Sequence, residues 1–185
     1  ERVLPLVTIC GNFTRPVGDQ PALLTTDEVT TYFHEFGHGL ASLLKDVKYK
    51  GMGGYPRDFV ELPSQLNEHW AFEPEVLKVY AKHYQTGEVI PQELVDKMVA
   101  AGKYGQGFAT VEYLAASYLD MDFHVLKEIP ADLDVNAFEA KVLGDRGILP
   151  QIPSRYRSTY FSHTFSGGYT AGYYSYIWAE VLDAD

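Results

Sequence analysis

At 185 residues, with 46% hydrophobic and 22% charged side chains, the chain has the composition of an ordinary soluble globular protein with one sizeable core. Its formal charge of −10 disfavours nucleic-acid backbones and acidic membranes as partners. One cysteine, Cys10, excludes an internal disulfide framework, and no apolar run approaches the roughly 18 residues of a membrane span.

The chain opens on Glu1 and stops at Asp185 within a helical pattern, which reads as a piece of a longer protein. Leu4 to Cys10 is short and rich in Val, Ile and Leu, and it ends at Gly11-Asn12. That pattern predicts a buried strand running into a turn, with Cys10 a buried, inert thiol. A reducing compartment suits a lone thiol, so a cytoplasmic location is expected. Pro16 to Pro21 predicts a loop.

The next stretch carries the strongest chemistry. Apolar residues at Val29, Phe33, Phe36, Leu40, Leu43 and Leu44 follow helical spacing, and Thr25-x-x-Glu28 has the form of a capping box. Inside this helix lies His34-Glu35-x-x-His38. Residues four apart share a face, so both imidazoles can aim at one point, and that point suits a single zinc ion. Glu35 is then the candidate general base for a water activated beside the metal.

Lys45 to Lys50 and Gly51-Met52-Gly53-Gly54-Tyr55-Pro56 predict a flexible connection. A second helix is expected over 58–72, with Pro63 in its first turn. Glu61 follows His38 by 23 residues, enough for the chain to turn back, which makes it the candidate third ligand of a His₂Glu site. Gln65, one turn beyond Glu61, can hold a ligand from behind; Asp58 is the alternative. Further helices are expected over 74–84, 91–101, 108–127 and 135–143, and His69, His83 and His124 fall in these elements at no ligand spacing.

From Arg155 to Tyr176 the chain is crowded with polar aromatics, including Tyr169, Tyr173 and Tyr176, together with His163 and the pair Gly167-Gly168. Buried phenols demand hydrogen-bond partners that a plain core does not supply, so this density points to a polar site. The i, i+4, i+7 spacing of Tyr169, Tyr173 and Tyr176 predicts three hydroxyls along one helical face, able to donate to a carbonyl or an oxyanion.

Three segments together resemble the thimet oligopeptidase and dipeptidyl carboxypeptidase family of zinc peptidases. They are Phe33-His34-Glu35-Phe36-Gly37-His38, the run from Arg57-Asp58-Phe59-Val60-Glu61 to Gln65, and Gly167-Gly168-Tyr169-Thr170-Ala171-Gly172-Tyr173-Tyr174-Ser175-Tyr176. Leu66-Asn67-Glu68-His69-Trp70 and the run from Tyr80 to Gly87 are closer to the bacterial dipeptidyl carboxypeptidase branch. The resemblance implies zinc on His34, His38 and Glu61 with Glu35 as base. It implies substrate binding by His163 and Tyr169, and stabilisation of the tetrahedral intermediate by Tyr173 and Tyr176. It also implies a mainly α fold, with residues 1–185 forming one piece of a larger catalytic domain whose remainder is a partner. The expected substrates are short peptides, cut to release C-terminal dipeptides or, alternatively, cut internally; a third expectation is a metal-binding piece inactive alone.

Overall fold

In a computed structural model, which describes residues 4–49 and 51–185, the chain is mainly helical. The helices are α1 (Thr26–Leu43), α2 (Leu62–Glu68), α3 (Pro74–Tyr80), α4 (Gln92–Ala101), α5 (Gln106–His124), α6 (Val135–Asp145), α7 (Ser162–Phe165) and α8 (Ser175–Asp183). Single 3-10 turns at Arg57–Phe59 and His69–Phe72 flank α2. The chain divides into two compact units, Glu1–Val99 with Trp178–Asp185, and Ala100–Ile177. Among the described residues no helix is long and apolar enough to cross a membrane.

In the first unit α1 begins as its sequence dictates. Thr25 Oγ1 accepts from Glu28 N, and Glu28 Oε2 accepts from Thr25 N at 2.8 Å, a reciprocal capping box. Glu28 also reaches back to Thr14, whose N–H and Oγ1 both donate to Glu28 Oε1 at 2.7 Å. One carboxylate therefore fixes the helix start and the loop before it.

The packing of α1 on α2 depends on Gly37. This residue is buried, and a methyl group there would stand 2.6 Å from Pro63 O and 2.7 Å from Ser64 Cα. Glycine is what lets the two helix backbones approach so closely. Asn67 Nδ2 donates to Phe33 O at 2.6 Å across the same contact. The expected second helix is realised with Pro63 in its first turn, although its two ends tighten into 3-10 turns.

The expected strand at Leu4 to Cys10 does not form. Among the described residues no strand is found, and only isolated bridges occur, at Val17 with Gln20 and Lys82 with Val89. The run finds no partner strand. Ile9 and Val7 instead lie against α1 where Gly39 leaves space, while Leu4 and Leu6 face outward. Cys10 is correspondingly exposed, not buried. In the connection after α1, Lys50 lies outside the described residues. α3 stops at Tyr80, four residues early, because the chain folds into a turn in which His83 N donates to Glu88 O and Gly87 N to His83 O. Gly87 takes a φ of 74° there, a region glycine enters without penalty.

In the second unit the core gathers Ala116 of α5 with Phe161 and Tyr173, and Tyr113, Tyr156 and Tyr176 pack around them. Phe123 of α5 meets Phe138 of α6 at 4.6 Å between ring centroids. Glu139 is buried and is satisfied by Arg157 Nε, Ser158 N and Ser158 Oγ. The expected helix carrying Tyr169 and Tyr173 is absent: residues 170–174 form turns, and α8 starts only at Ser175. Gly168 and Ala171 take φ of 84° and 50°, which breaks a right-handed helix.

Candidate metal centre

In the first unit α1 presents His34 and His38 one turn apart, and Glu61 stands at the entry to α2. His34 Nε2 lies 3.2 Å and His38 Nε2 3.3 Å from the same atom, Glu61 Oε2. The two rings are 4.9 Å apart and nearly perpendicular. Among the described residues, these three form a group in which one donor atom each falls within 4.8 Å of the others. In a tetrahedral site with bonds of about 2.0–2.1 Å, ligand atoms are separated by about 3.3 Å. The observed separations from Glu61 Oε2 match that edge, so the residues fit a small divalent metal held by two imidazoles and a carboxylate.

Burial supports the same reading. The Glu61 side chain is 1% exposed, and an ionised carboxylate taken out of water needs strong compensation. Ser64, itself fully buried, places Oγ 2.7 Å from Glu61 O and 3.1 Å from Glu61 Oε2, which fixes the carboxylate. Behind His34, Glu68 Oε1 lies 2.6 Å from Nδ1, so Nε2 is the nitrogen turned toward Glu61. Burial alone would lower the pKa of His34, but hydrogen bonds to Glu61 and Glu68 outweigh it and raise it to about 9. A metal ion binds an imidazole nitrogen that carries no proton, so metal and proton compete for His34 Nε2.

Glu35 sits on α1 beside His34 and is half-buried. Asp58 lies in the 3-10 turn ahead of Glu61, and Gln65 lies in α2. The residues that sequence reasoning missed are Glu68 and Ser64. Glu68 follows Glu61 by seven residues, two turns along, which is the spacing that signals a shared helical face. Ser64 carries no signal of its own, because a serine in a first turn has many uses.

The aromatic residues singled out from the sequence gather in the second unit. His163 is 5.9 Å from Tyr169, 5.5 Å from Tyr173 and 6.4 Å from Tyr176, between ring centroids. Tyr169 stacks on Tyr176 at 5.5 Å. Although not on one helical face, the three tyrosines are brought together by a tight turn. Tyr173 is 2% exposed, and burial, reinforced by Tyr156, pushes its phenol well above the ordinary value. It therefore stays neutral and keeps a proton to donate.

The sequence model of Peptidase family M3 matches residues 1–185. The chain belongs to this family. Similar proteins include the dipeptidyl carboxypeptidase of Escherichia coli strain K12, 47% identical over 98% of this chain, and oligopeptidase A of the same strain, 44% identical over 98%. Saccharolysin of Saccharomyces cerevisiae is 33% identical over the whole chain. The chain spans about a quarter of the length of these curated relatives: 27%, 27% and 26% of each.

Proposed function

We propose that the protein to which this chain belongs is a zinc peptidase that releases dipeptides from the C-termini of short peptides. The observation that carries the reading is the convergence of His34 Nε2 and His38 Nε2 on Glu61 Oε2, with Glu35 next in line, in a chain matched along its length by Peptidase family M3. Zinc suits the donor set of two imidazoles and one carboxylate, and when bound it would acidify water and polarise the scissile carbonyl.

The chain's own residues supply the rest. Glu35 takes a proton from the attacking water onto its carboxylate and delivers it to the leaving amine. Tyr173 and Tyr176 donate their hydroxyl hydrogens to the oxygen that gains charge as the carbonyl becomes tetrahedral. His163 and Tyr169 bind the peptide, and Asp58 or Gln65 steadies a ligand. Arg157 is engaged by Glu139 and Arg155 by the Tyr173 and Tyr156 hydroxyls, and either guanidinium could turn to grip a terminal carboxylate.

We place residues 1–185 as one piece of a larger catalytic domain. An apolar groove of about 390 Å³ in the first unit, lined by Leu40, Leu44, Leu66 and Trp70, supports a further segment of that domain as its cover. A cytoplasmic location agrees with the single cysteine.

The second reading is an internal cut of short peptides, kept open by the 44% identity to a protein named as an oligopeptidase and not as a carboxypeptidase. Cleavage by the full-length protein of one peptide with a free and with an amidated C-terminus separates the two. Loss of cleavage on amidation supports dipeptide release, and equal cleavage supports the internal cut.

A further inference from the structure

Asp120, in α5 of the second unit, is completely buried and takes no part in the chemistry described above. Its carboxylate reaches across to a single turn: Oδ1 accepts from Ala171 N at 3.0 Å and Oδ2 from Tyr173 N at 2.9 Å. His124 Nδ1 stands 2.7 Å from Asp120 O and 3.1 Å from Oδ1. A buried carboxylate is tolerated when its oxygens are hydrogen-bonded, and here each oxygen accepts from a backbone N–H.

The turn so gripped needs holding. Ala171 has a φ of 50°, which side-chain-bearing residues rarely adopt, and it is the non-glycine residue with positive φ among those described. Its N–H and that of Tyr173 are bonded to Asp120 rather than to carbonyls of a helix. A second fastening comes from Thr170 Oγ1, which donates to Thr164 O at 2.9 Å. Three rings depend on this turn. Tyr169 precedes it, Tyr173 ends it with its ring 4.9 Å from Phe161 and 5.6 Å from Tyr176, and Tyr176 stacks back on Tyr169.

We propose that Asp120 is a positioning residue, whose two hydrogen bonds set the turn from Tyr169 to Tyr173 and so fix where the Tyr173 hydroxyl can meet substrate. The inference rests on the reading of Tyr173 as an oxyanion donor. Apart from the His124 imidazole, Asp120 meets the turn only through backbone N–H groups, and it acts through that backbone. Donors of this kind work only when placed in advance, and a displacement of about 1 Å costs about a hundredfold in rate.

The test is a double-mutant cycle on the full-length protein with Asp120→Asn and Tyr173→Phe, with metal content and urea midpoint measured on each. Asparagine keeps the shape but turns an NH₂ toward one of the two N–H groups. Tyr173→Phe is expected to lower kcat about a hundredfold, and Asp120→Asn about tenfold or more with metal retained. The pair together is expected to fall no further than Tyr173→Phe alone, within about twofold. A merely structural lesion would multiply with the tyrosine change, and multiplication overturns the proposal. Full activity of Asp120→Asn beside an impaired Tyr173→Phe overturns it alone. Full activity of Tyr173→Phe overturns the reading of that tyrosine, and the proposal with it. If Asp120→Asn does not fold, Thr170→Val, at the exposed fastening of the same turn, replaces it in the cycle. Non-multiplicative loss then supports the proposal, and multiplicative or no loss overturns it.

Discussion

Glu68 Oε1 lies 2.6 Å from His34 Nδ1, and that contact decides which nitrogen of His34 faces Glu61. An imidazole free to flip would offer a metal either nitrogen. Glu68→Ala should therefore weaken metal affinity about 10- to 100-fold while leaving the fold intact. Competition against a chelator reads this directly, and unchanged affinity would show that His34 is oriented by something else.

Gly37 makes a sharper structural prediction. In Gly37→Ala the new methyl would meet Pro63 O at 2.6 Å, and no rotamer relieves an overlap with backbone. The strain costs about 1–3 kcal/mol, against a gain of about 1 kcal/mol from alanine's better helix propensity. The net effect is destabilising, and α2 must move away from α1, carrying Glu61 with it. The urea midpoint and the metal affinity should fall together; a stabilised variant would mean that the two helices do not approach this closely.

Acid stability should carry the signature of Glu28. Hydrogen bonds, first from Thr14 Oγ1 and then from the Thr25 and Thr14 N–H groups, lower its pKa from 4.5 to about 2. A group depressed on folding stabilises the protein above its unfolded pKa, and that contribution fades as pH falls from about 4.5 to about 2. Wild type should thus be more resistant to urea than Glu28→Gln near neutral pH, and the gap should close near pH 2. A gap independent of pH would deny Glu28 this role.

Much of this was legible in the chain because the motifs are local. The capping box, the one-turn spacing of His34 and His38, and Pro63 in a first turn each depend on a few neighbouring residues, and each formed as its pattern required. Failures came where distant residues decide. Leu4 to Cys10 has the composition of a strand, but a strand needs a partner, and the run lies on α1 instead. The spacing of Tyr169, Tyr173 and Tyr176 is helical, yet Asp120, some fifty positions earlier, takes the N–H groups that a helix would need. Glu68 was within reach of helical spacing, while its contact with His34 depends on the crossing of α1 and α2 at Gly37.

On the proposed function, Glu35 separates binding from chemistry. Glu35→Gln in the full-length protein should keep its metal and lose about 10²- to 10⁴-fold in turnover, the range for removing a general base. Wild-type turnover of a short peptide by this variant would remove Glu35 from the mechanism.

A metal held by His34, His38 and Glu61 is the centre of the proposed function, and elemental analysis of the purified full-length protein, beside Glu61→Ala and His38→Ala, tests it most directly. The expected result is about one zinc per chain in the wild type and little in either variant after dialysis. Wild-type protein that takes up no zinc when incubated with the ion, or variants that keep a full equivalent, would contradict it.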